Sequence, residues 1–305
     1  MRFLLTGAAG FVGSRVARLL VRTGHTVFAI IQPESSSERL EDCISRLHPL
    51  YVDLRDAQAV RRLLKEAKPE CVVHLAWYTV PGKYWSAVEN LDCVTMTIAL
   101  AQSAAENGCR RFVGIGSCAE YDWDYGFLSE VATPLNPRTI YGVCKNETRI
   151  LIEAFCAQVP MEFAWARLFY LFGPWEDPCR LVPSVIRALL KGEVAACTEG
   201  KQMRDFLHVD DAASAICAFA SSGRQGAVNV GSGEPVSVRD IVDLIGRTLG
   251  RSDLISYGAI QPDPNDPPLL LADVRRLRKE VGWCPSLSLR EALINTVQWW
   301  REKSS

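Results

Sequence analysis

The sequence predicts an α/β fold in which a doubly wound parallel sheet is followed by a smaller C-terminal lobe. Through the first half of the 305-residue chain, apolar runs of strand length alternate with helical segments. This order is typical of a parallel sheet covered by helices on both faces. After Phe172, loops rich in glycine, proline and aspartate separate the helical segments. We therefore predict one domain at residues 1–170, with a returning segment at about 205–232, and a lobe formed mainly by residues 171–305.

Each predicted element rests on a local pattern. The strands are near-continuous apolar runs, as expected of strands buried on both faces, and lie at residues 2–6, 26–31, 71–75, 111–116 and 163–169. The helix after the first strand has apolar residues on one face and arginines on the other. Further helices are predicted at residues 86–107 and 141–158, and in the lobe at 181–191, 236–249 and 287–301.

The turn between the first strand and the first helix is the most informative segment. It reads Gly-Ala-Ala-Gly-Phe-Val-Gly over residues 7–13. Gly7 permits a tight turn, Gly10 lets backbone N–H groups approach a pyrophosphate, and Gly13 allows the helix to pack closely on the sheet. Glycines at this spacing, between a first strand and a first helix, predict a Rossmann-type dinucleotide-binding domain.

Composition excludes several other classes of function. A formal net charge of −1 gives no electrostatic reason to expect nucleic acid or an anionic membrane as a partner. The apolar runs are too short to cross a bilayer, and the chain begins in a strand rather than a basic and then apolar leader, so we expect a cytoplasmic protein. Eleven cysteines without a C-x-x-C pair and four histidines without ligand spacing predict neither disulfides nor a metal site.

Tyr141 and Lys145 are the second signal for chemistry. At positions i and i+4 of a helix they share one face. A nearby ammonium lowers the pKa of a phenol, which would suit Tyr141 for exchanging a proton with an alcohol oxygen. Taken alone, the pair reads better as a surface contact. Ser117, at the carboxyl end of a predicted strand, favours the catalytic interpretation because its hydroxyl can bond the same substrate oxygen.

With these residues in place, the whole chain resembles the extended short-chain dehydrogenase/reductase family, in its nucleotide-sugar branch. The resemblance rests on several motifs in order along the chain. They are T-G-x-x-G-x-x-G from Thr6 to Gly13, Asp53-Leu54, His74-Leu75-Ala76, Ser117 four residues before Tyr121, P-x-x-x-Y-G-x-x-K from Pro137 to Lys145, and the lobe signatures at residues 167–174, 202–211, 229–231 and 282–285.

The resemblance implies roles for individual residues. Tyr141 would be the proton donor or acceptor, Lys145 would hold the nicotinamide ribose, and Ser117 would orient the reacting oxygen. Arg204 would grip the diphosphate of a nucleotide sugar, as a guanidinium fork suits; the alternative is an ion pair with Asp205 or Asp210. The implied cofactor contacts are Gly7, Ala9, Gly10, Phe11, Val12, Gln32, Ser36, Arg39, Asp53, Leu54, Leu75, Ala76, Tyr141, Lys145 and Leu168. The implied substrate contacts are Cys118, Tyr170, Leu181, Val182 and Arg204.

Two departures from the family's motifs reduce the number of reactions that we expect of this chain. The 4,6-dehydratases carry an Asp-Glu pair where this chain has Cys118 and Ala119, and decarboxylases place a glutamate at the position of Ala119. Glu120 is one residue further and should point to the opposite side. Cys118 is read as packing rather than as an acid for C3 or C5. Two reactions remain: reduction of a C4 ketone, favoured by the short chain, and 4-epimerisation by transient oxidation.

The end of the second strand bears on the choice of cofactor. NAD-specific members usually have an acidic residue there, whereas this chain has Ile31 and Gln32. Ser36 and Arg39 could bind a 2′-phosphate, although Glu38 is close by. We therefore expect NADP ahead of NAD.

Three hypotheses follow for the function. The leading one is an NADPH-dependent reductase of a nucleotide-linked 4-keto-6-deoxyhexose, with dTDP, CDP, GDP and UDP all open as the nucleotide. The first rival is a nucleotide-sugar 4-epimerase with tightly bound NAD, and the second is a dinucleotide-sensing scaffold without catalysis. The resemblance also suggests a homodimer through the helices at 86–107 and 141–158, unless their apolar residues face the sheet. Those residues are Met96, Leu100, Leu151, Ile152 and Phe155.

Overall fold

The computed structural model of the protein describes residues 1–304. Its strands and helices alternate along most of the chain. In order they are β1 (Arg2–Thr6), α1 (Phe11–Arg22), β2 (Thr26–Ile31), β3 (His48–Tyr51), α2 (Ala57–Ala67), β4 (Cys71–His74), α3 (Glu89–Glu106), β5 (Arg111–Ser117), β6 (Phe127–Leu128), α4 (Ile140–Cys156), β7 (Glu162–Leu168), β8 (Tyr170–Phe172), α5 (Leu181–Lys191), β9 (Ala195–Ala196), β10 (Met203–His208), α6 (Val209–Ser221), β11 (Gly226–Val230), β12 (Pro235–Ser237), α7 (Val238–Leu249), β13 (Ile255–Ser256), β14 (Leu269–Ala272) and α8 (Leu289–Ser304).

The main sheet has seven parallel strands in the order β11-β7-β5-β4-β1-β2-β3. Thr6 at the end of β1 lies opposite His74 of β4 on one side and Ile30 of β2 on the other. The strand order reverses between β1 and β4, so a crevice opens there at the carboxyl ends of the strands, where open α/β sheets bind ligands. The predicted fold class is confirmed.

A second, mixed sheet builds the smaller lobe. Its strands follow the order β12-β10-β14-β6, and β8 pairs with β10. An apolar core of its own joins α5, α7 and α8, with Ile186, Ile241 and Val297 among its fully buried side chains. Because β8 continues directly from the end of β7, the lobe lies against the carboxyl edge of the main sheet, next to the crevice.

The predicted elements agree with the structure where the sequence is strongly apolar. β1 and β2 have the predicted bounds, and β4, β5 and β7 differ by a residue at one or both ends. The helix predicted at residues 86–107 is α3, which begins at Glu89. The helix predicted at 287–301 is α8, which runs from Leu289 to Ser304. The elements that were not predicted are the strands β3, β6 and β8–β14 and the helices α2 and α6.

Two apolar clusters cover the faces of the main sheet. One packs α1 and α6 on the sheet, and the other packs α2, α3 and α4. Leu100 and Ile152 belong to the second cluster and are 1% and 2% exposed, so they face the sheet and cannot form a dimer contact. Leu151, in contrast, is 49% exposed on the outer face of α4. Within residues 1–304, no helix is long and apolar enough to span a bilayer.

Candidate active site at the carboxyl edge of the main sheet

The glycine turn has a conformation that other residues would not tolerate. Gly7 has φ +67°, and its carbonyl accepts a hydrogen bond from the Gly10 N–H at 3.0 Å. A Cβ added at Gly13 would lie 2.0 Å from the Gly7 oxygen, and one at Gly7 would lie 2.8 Å from the Ala76 nitrogen. Without side chains at these points, α1, the turn and the end of β4 pack into one compact cradle.

The cradle fits the pyrophosphate of a dinucleotide. α1 starts at Phe11 without a side-chain cap, so the N–H groups of its first turn remain available to an anion. Val12 follows in the same turn, and Leu75 and Ala76 line the side towards β4. Leu168, at the end of β7, lies opposite Ser117 in the sheet register. These cofactor contacts implied by the sequence therefore meet at one edge of the sheet.

The segment after β2 borders the same cradle, and the segment after β3 follows the neighbouring strand of the sheet. Arg39 donates from Nη1 to the Ala9 carbonyl at 3.3 Å, and its Nε is buried without a partner. Gln32 and Ser36 lie in the turn between the end of β2 and Arg39. In this turn the Gln32 carbonyl accepts a hydrogen bond from the Ser35 N–H at 2.9 Å. Asp53 and Leu54 follow β3. Arg55 holds the Asp53 carboxylate at 2.5 Å and lowers its pKa.

Ser117 and Tyr141 are brought together by a close contact between α4 and a short 3-10 turn at residues 118–120. Ser117 ends β5 and caps that turn, accepting from Ala119 N–H at 3.2 Å. A Cβ on Gly142 would lie 2.3 Å from the Ala119 carbonyl, so glycine lets the first turn of α4 press on the 3-10 turn. The two side chains lie close enough for the Ser117 hydroxyl to lower the pKa of Tyr141. The predicted neighbourhood of these two hydroxyls is therefore present.

We expected Lys145 to lower the pKa of Tyr141, but in this structure that pKa is raised. Lys145 Nζ donates to the Ile115 carbonyl at 2.6 Å and lies 6.0 Å from the centre of the Tyr141 ring. Burial raises the pKa of Tyr141, and the neighbouring Ser117 hydroxyl offsets only part of that rise. Burial also lowers the pKa of Lys145 to about 7. The phenol is therefore held in its protonated form.

Glu120, the carboxylate nearest to these hydroxyls in sequence, points into the protein. Its Oε2 accepts from Arg167 Nε at 2.7 Å, and both side chains are at most 2% exposed. Its Oε1 accepts from Trp165 Nε1 at 3.0 Å and from Ser117 N–H at 2.8 Å. Glu120 thus fixes the end of β5 from behind and is not available to a substrate.

The loop between β4 and α3, together with Trp123 from the segment after β5, supplies an aromatic surface that the sequence analysis missed. We call the side chains of Trp77, Tyr84, Trp85 and Trp123 the aromatic wall. Tyr84 and Trp85 meet the Tyr141 ring edge to face, with centroids 4.9 and 5.6 Å away. The signal was visible, since residues 77–85 contain four aromatic residues, but their position next to Tyr141 depends on the loop conformation.

Arg204 occupies the lobe side of the site. It is 3% exposed, its guanidinium lies 5.5 Å from the centre of the Tyr170 ring, and its Nη2 pairs with Asp266 at 2.5 Å. The alternative partners Asp205 and Asp210 were wrong. Asp205 accepts hydrogen bonds from the N–H groups of residues 232 and 233 and so stabilises a loop of the lobe. Asp210 pairs instead with Arg15 of α1.

Other substrate contacts implied by the sequence line the same region. Cys118 is 7% exposed, and burial raises the pKa of its thiol to about 12. Leu181 begins α5 and is half-buried. Val182 packs its side chain into the core of the lobe, so only its backbone can face the site. Arg180, just before α5, lies 5.1 Å from the centre of the Tyr84 ring and was not predicted.

Residues 173–176 cross from the lobe to the glycine turn, and we call them the strap. The carbonyl of Trp175 accepts from Arg39 at 3.0 Å, and the carbonyl of Pro174 accepts from an α1 arginine at 3.3 Å. Lys303 of α8 lies 4.2 Å from the Trp175 ring centre and pairs with Glu38 at 2.6 Å. The strap therefore links both domains beside the cradle.

Comparison with known proteins agrees with this architecture. The family model described as NAD dependent epimerase/dehydratase family matches residues 3–231. The chain is 29% identical to a UDP-glucose 4-epimerase of Mycolicibacterium smegmatis over the full length of both chains, and 28% identical to a dTDP-glucose 4,6-dehydratase of Streptomyces griseus, covering 99% and 94% of the two. Among solved structures, MoeE5 with UDP-glucuronic acid and NAD is 30% identical, with a TM-score of 0.85 over 99% and 100% of the two chains.

Proposed function

This chain belongs to the NAD dependent epimerase/dehydratase family, and from that premise we propose that it reduces the C4 ketone of a nucleotide-linked 4-keto-6-deoxyhexose with NADPH. The observation that carries the proposal is the acid–base equipment at Tyr141. Ser117 and a protonated Tyr141 are present, whereas positions 118 and 119 carry no carboxylate and Glu120 is bound to Arg167. Such a site supports a single proton transfer at one oxygen and lacks groups for a second one at C5.

Tyr141 would give its phenolic proton to O4 as the ketone becomes an alcohol. The bound dinucleotide would supply the hydride that C4 receives. Ser117 would hold the same oxygen, and the tyrosinate would recover a proton from solvent. A phenol whose pKa is raised by burial starts the cycle protonated, as a reductase requires.

The surroundings of Arg39 support NADPH. This guanidinium borders the turn at Ala9 and has a buried Nε without a partner. The Glu38 carboxylate would repel a 2′-phosphate, but it forms an ion pair with Lys303 at 2.6 Å. Arg204 would bind the substrate diphosphate by exchanging the Asp266 carboxylate for it.

The experiment that tests the reaction uses Tyr141→Phe. We expect loss of at least about a hundredfold in kcat with unchanged dinucleotide affinity, since one proton transfer contributes about 10²–10⁴-fold. Tyr125→Phe is a matched control, because Tyr125 is 57% exposed and far less buried than Tyr141. Unchanged turnover in Tyr141→Phe, measured by NADPH consumption, would contradict the assignment.

A 4-epimerase with tightly bound NAD is the second candidate. It is favoured by the strap, which links the two domains beside the cradle and would slow cofactor exchange, and by MoeE5, whose structure holds NAD. The dinucleotide content of freshly purified protein separates the two. A reductase should carry little cofactor and bind NADPH more tightly than NADH, whereas stoichiometric, non-exchanging NAD would favour the epimerase.

We also propose that the protein forms a homodimer through α3 and α4. Their outer faces expose Leu91, Ile150 and Leu151 at 55%, 41% and 49%. A second copy of the chain that packs on these two helices would cover such exposed apolar side chains.

A further inference from the structure

The aromatic wall and Tyr141 form a continuous surface of rings. Tyr84 and Trp85 both meet Tyr141 edge to face, and Trp85 in turn meets Trp123 at a centroid distance of 6.0 Å. Trp77 lies at the other end, with Lys145 Nζ 3.7 Å from its ring centre. Tyr84 and Tyr141 are buried, while the three tryptophans are half-buried. The wall thus keeps ring surface open beside the reacting hydroxyl.

The wall is held in place by specific hydrogen bonds. Asn90, which is fully buried, donates to the carbonyls of Tyr84 and Ala87 at 2.8 Å and accepts from Trp77 Nε1 at 2.8 Å. The Trp85 carbonyl accepts from Tyr141 N–H at 3.4 Å. The rings are therefore positioned before any ligand arrives, as a binding surface requires.

Most polar atoms of the wall are already used within the protein. Trp77 Nε1 is bonded to Asn90, Trp123 Nε1 donates to the Cys118 carbonyl at 2.9 Å, and the Arg180 guanidinium lies 5.1 Å from the centre of the Tyr84 ring. A ligand thus meets mainly ring surface here. A hydroxyl pressed against it would lose water without gaining a partner, whereas a methyl group would bury apolar surface.

We infer that the aromatic wall makes the enzyme selective for a 6-deoxy sugar, by receiving the methyl group on C5 and rejecting a hydroxymethyl or carboxylate there. The inference rests on the proposed function, in which Tyr141 bonds O4. C5 is next to C4, so rings centred within 5.6 Å of the Tyr141 ring reach the substituent on C5. The guanidinium of Arg180, the cation that a carboxylate would seek, already lies over the Tyr84 ring, 5.1 Å from its centre.

The test compares three ligands that share one nucleoside diphosphate and differ only at C6 of the hexose: the 6-deoxy sugar, the parent hexose and the uronic acid. Calorimetric affinities are measured on protein saturated with NADP. We expect the 6-deoxy form to bind at least about tenfold more tightly than either other form, within the range by which apolar pockets discriminate a hydroxyl. Trp85→Ala should reduce this preference to less than about threefold.

Two further variants separate recognition from misfolding. Trp85→Phe keeps a ring and should retain most of the preference for the 6-deoxy sugar. Tyr125→Ala removes an exposed ring from the segment that carries Trp123 and should leave that preference unchanged. Equal affinities for the three sugars, a preference for the uronic acid, or a preference that survives Trp85→Ala would overturn the inference while leaving the proposed reaction standing. Absence of binding by all three would overturn both.

Discussion

Glu176 in the strap gives the protein a measurable dependence of stability on pH. The residue is 8% exposed, and its Oε2 is buried without a hydrogen-bond partner. Burial raises the pKa of this carboxyl to about 8, and the positive charge of Arg180 offsets only part of the effect. At neutral pH the folded protein therefore holds Glu176 protonated, while the unfolded chain has lost that proton.

The sign and size follow from proton linkage. A carboxyl whose pKa is raised in the folded state makes its full contribution to stability below its ordinary pKa of 4.5. That contribution is lost as the pH rises from 4.5 to the folded-state pKa of about 8. At 1.36 kcal/mol for each pH unit between the two values, the free energy of unfolding falls by about 5 kcal/mol. Above pH 8 both states are ionised and the contribution is constant.

Glu176→Gln removes the titration and keeps the shape of the neutral group. Urea unfolding followed by tryptophan fluorescence, from pH 5 to pH 9, should give a variant whose stability advantage over the parent grows with pH and levels off above pH 8. Glu234→Gln, an exposed residue of the lobe, is the control and should run parallel to the parent. A Glu176→Gln curve that also runs parallel to the parent would refute the reasoning.

Three other changes test the packing described above. Gly13→Ala places a methyl against the Gly7 carbonyl and should cost about 1–3 kcal/mol and weaken dinucleotide binding, measured by urea unfolding and NADPH titration; unchanged binding would contradict the cradle. Arg167→Met leaves the buried carboxylate of Glu120 unpaired and should cost about 3–5 kcal/mol, and an equally stable variant would argue against the ion pair. Leu151→Glu should convert a dimer into folded monomers in light scattering, and a monomeric parent would disprove the dimer.

The sequence predicted the elements whose signal is local. The glycine turn is set by steric limits within a few residues, and β1 and β2 are apolar runs with clear ends. β3 was missed because His48–Tyr51 lies at the edge of the sheet and is mostly exposed, so it lacks an apolar run. α6 was missed because its many alanines are buried on several sides and give no amphipathic pattern.

Contacts between distant segments could not be predicted in the same way. The position of Tyr141 and Lys145 on one helix face follows from their spacing, but the Lys145 ammonium turns towards Ile115, thirty residues earlier. Arg204 meets Asp266 rather than a neighbour because the lobe folds a proline-rich loop back over it. Arg39 was placed near the dinucleotide from sequence, whereas its bond to the strap depends on the relative position of the two domains.

The close contact of α4 with the 3-10 turn also constrains how this enzyme could evolve. Ala119 is 2% exposed, packs beside Tyr84 and Tyr141, and presents its carbonyl to Gly142. A glutamate at position 119 would need the space that these rings occupy, and an acid at 118 would be buried against Arg204 and Tyr170. A carboxylate at either position would thus need compensating substitutions in the turn and the aromatic wall.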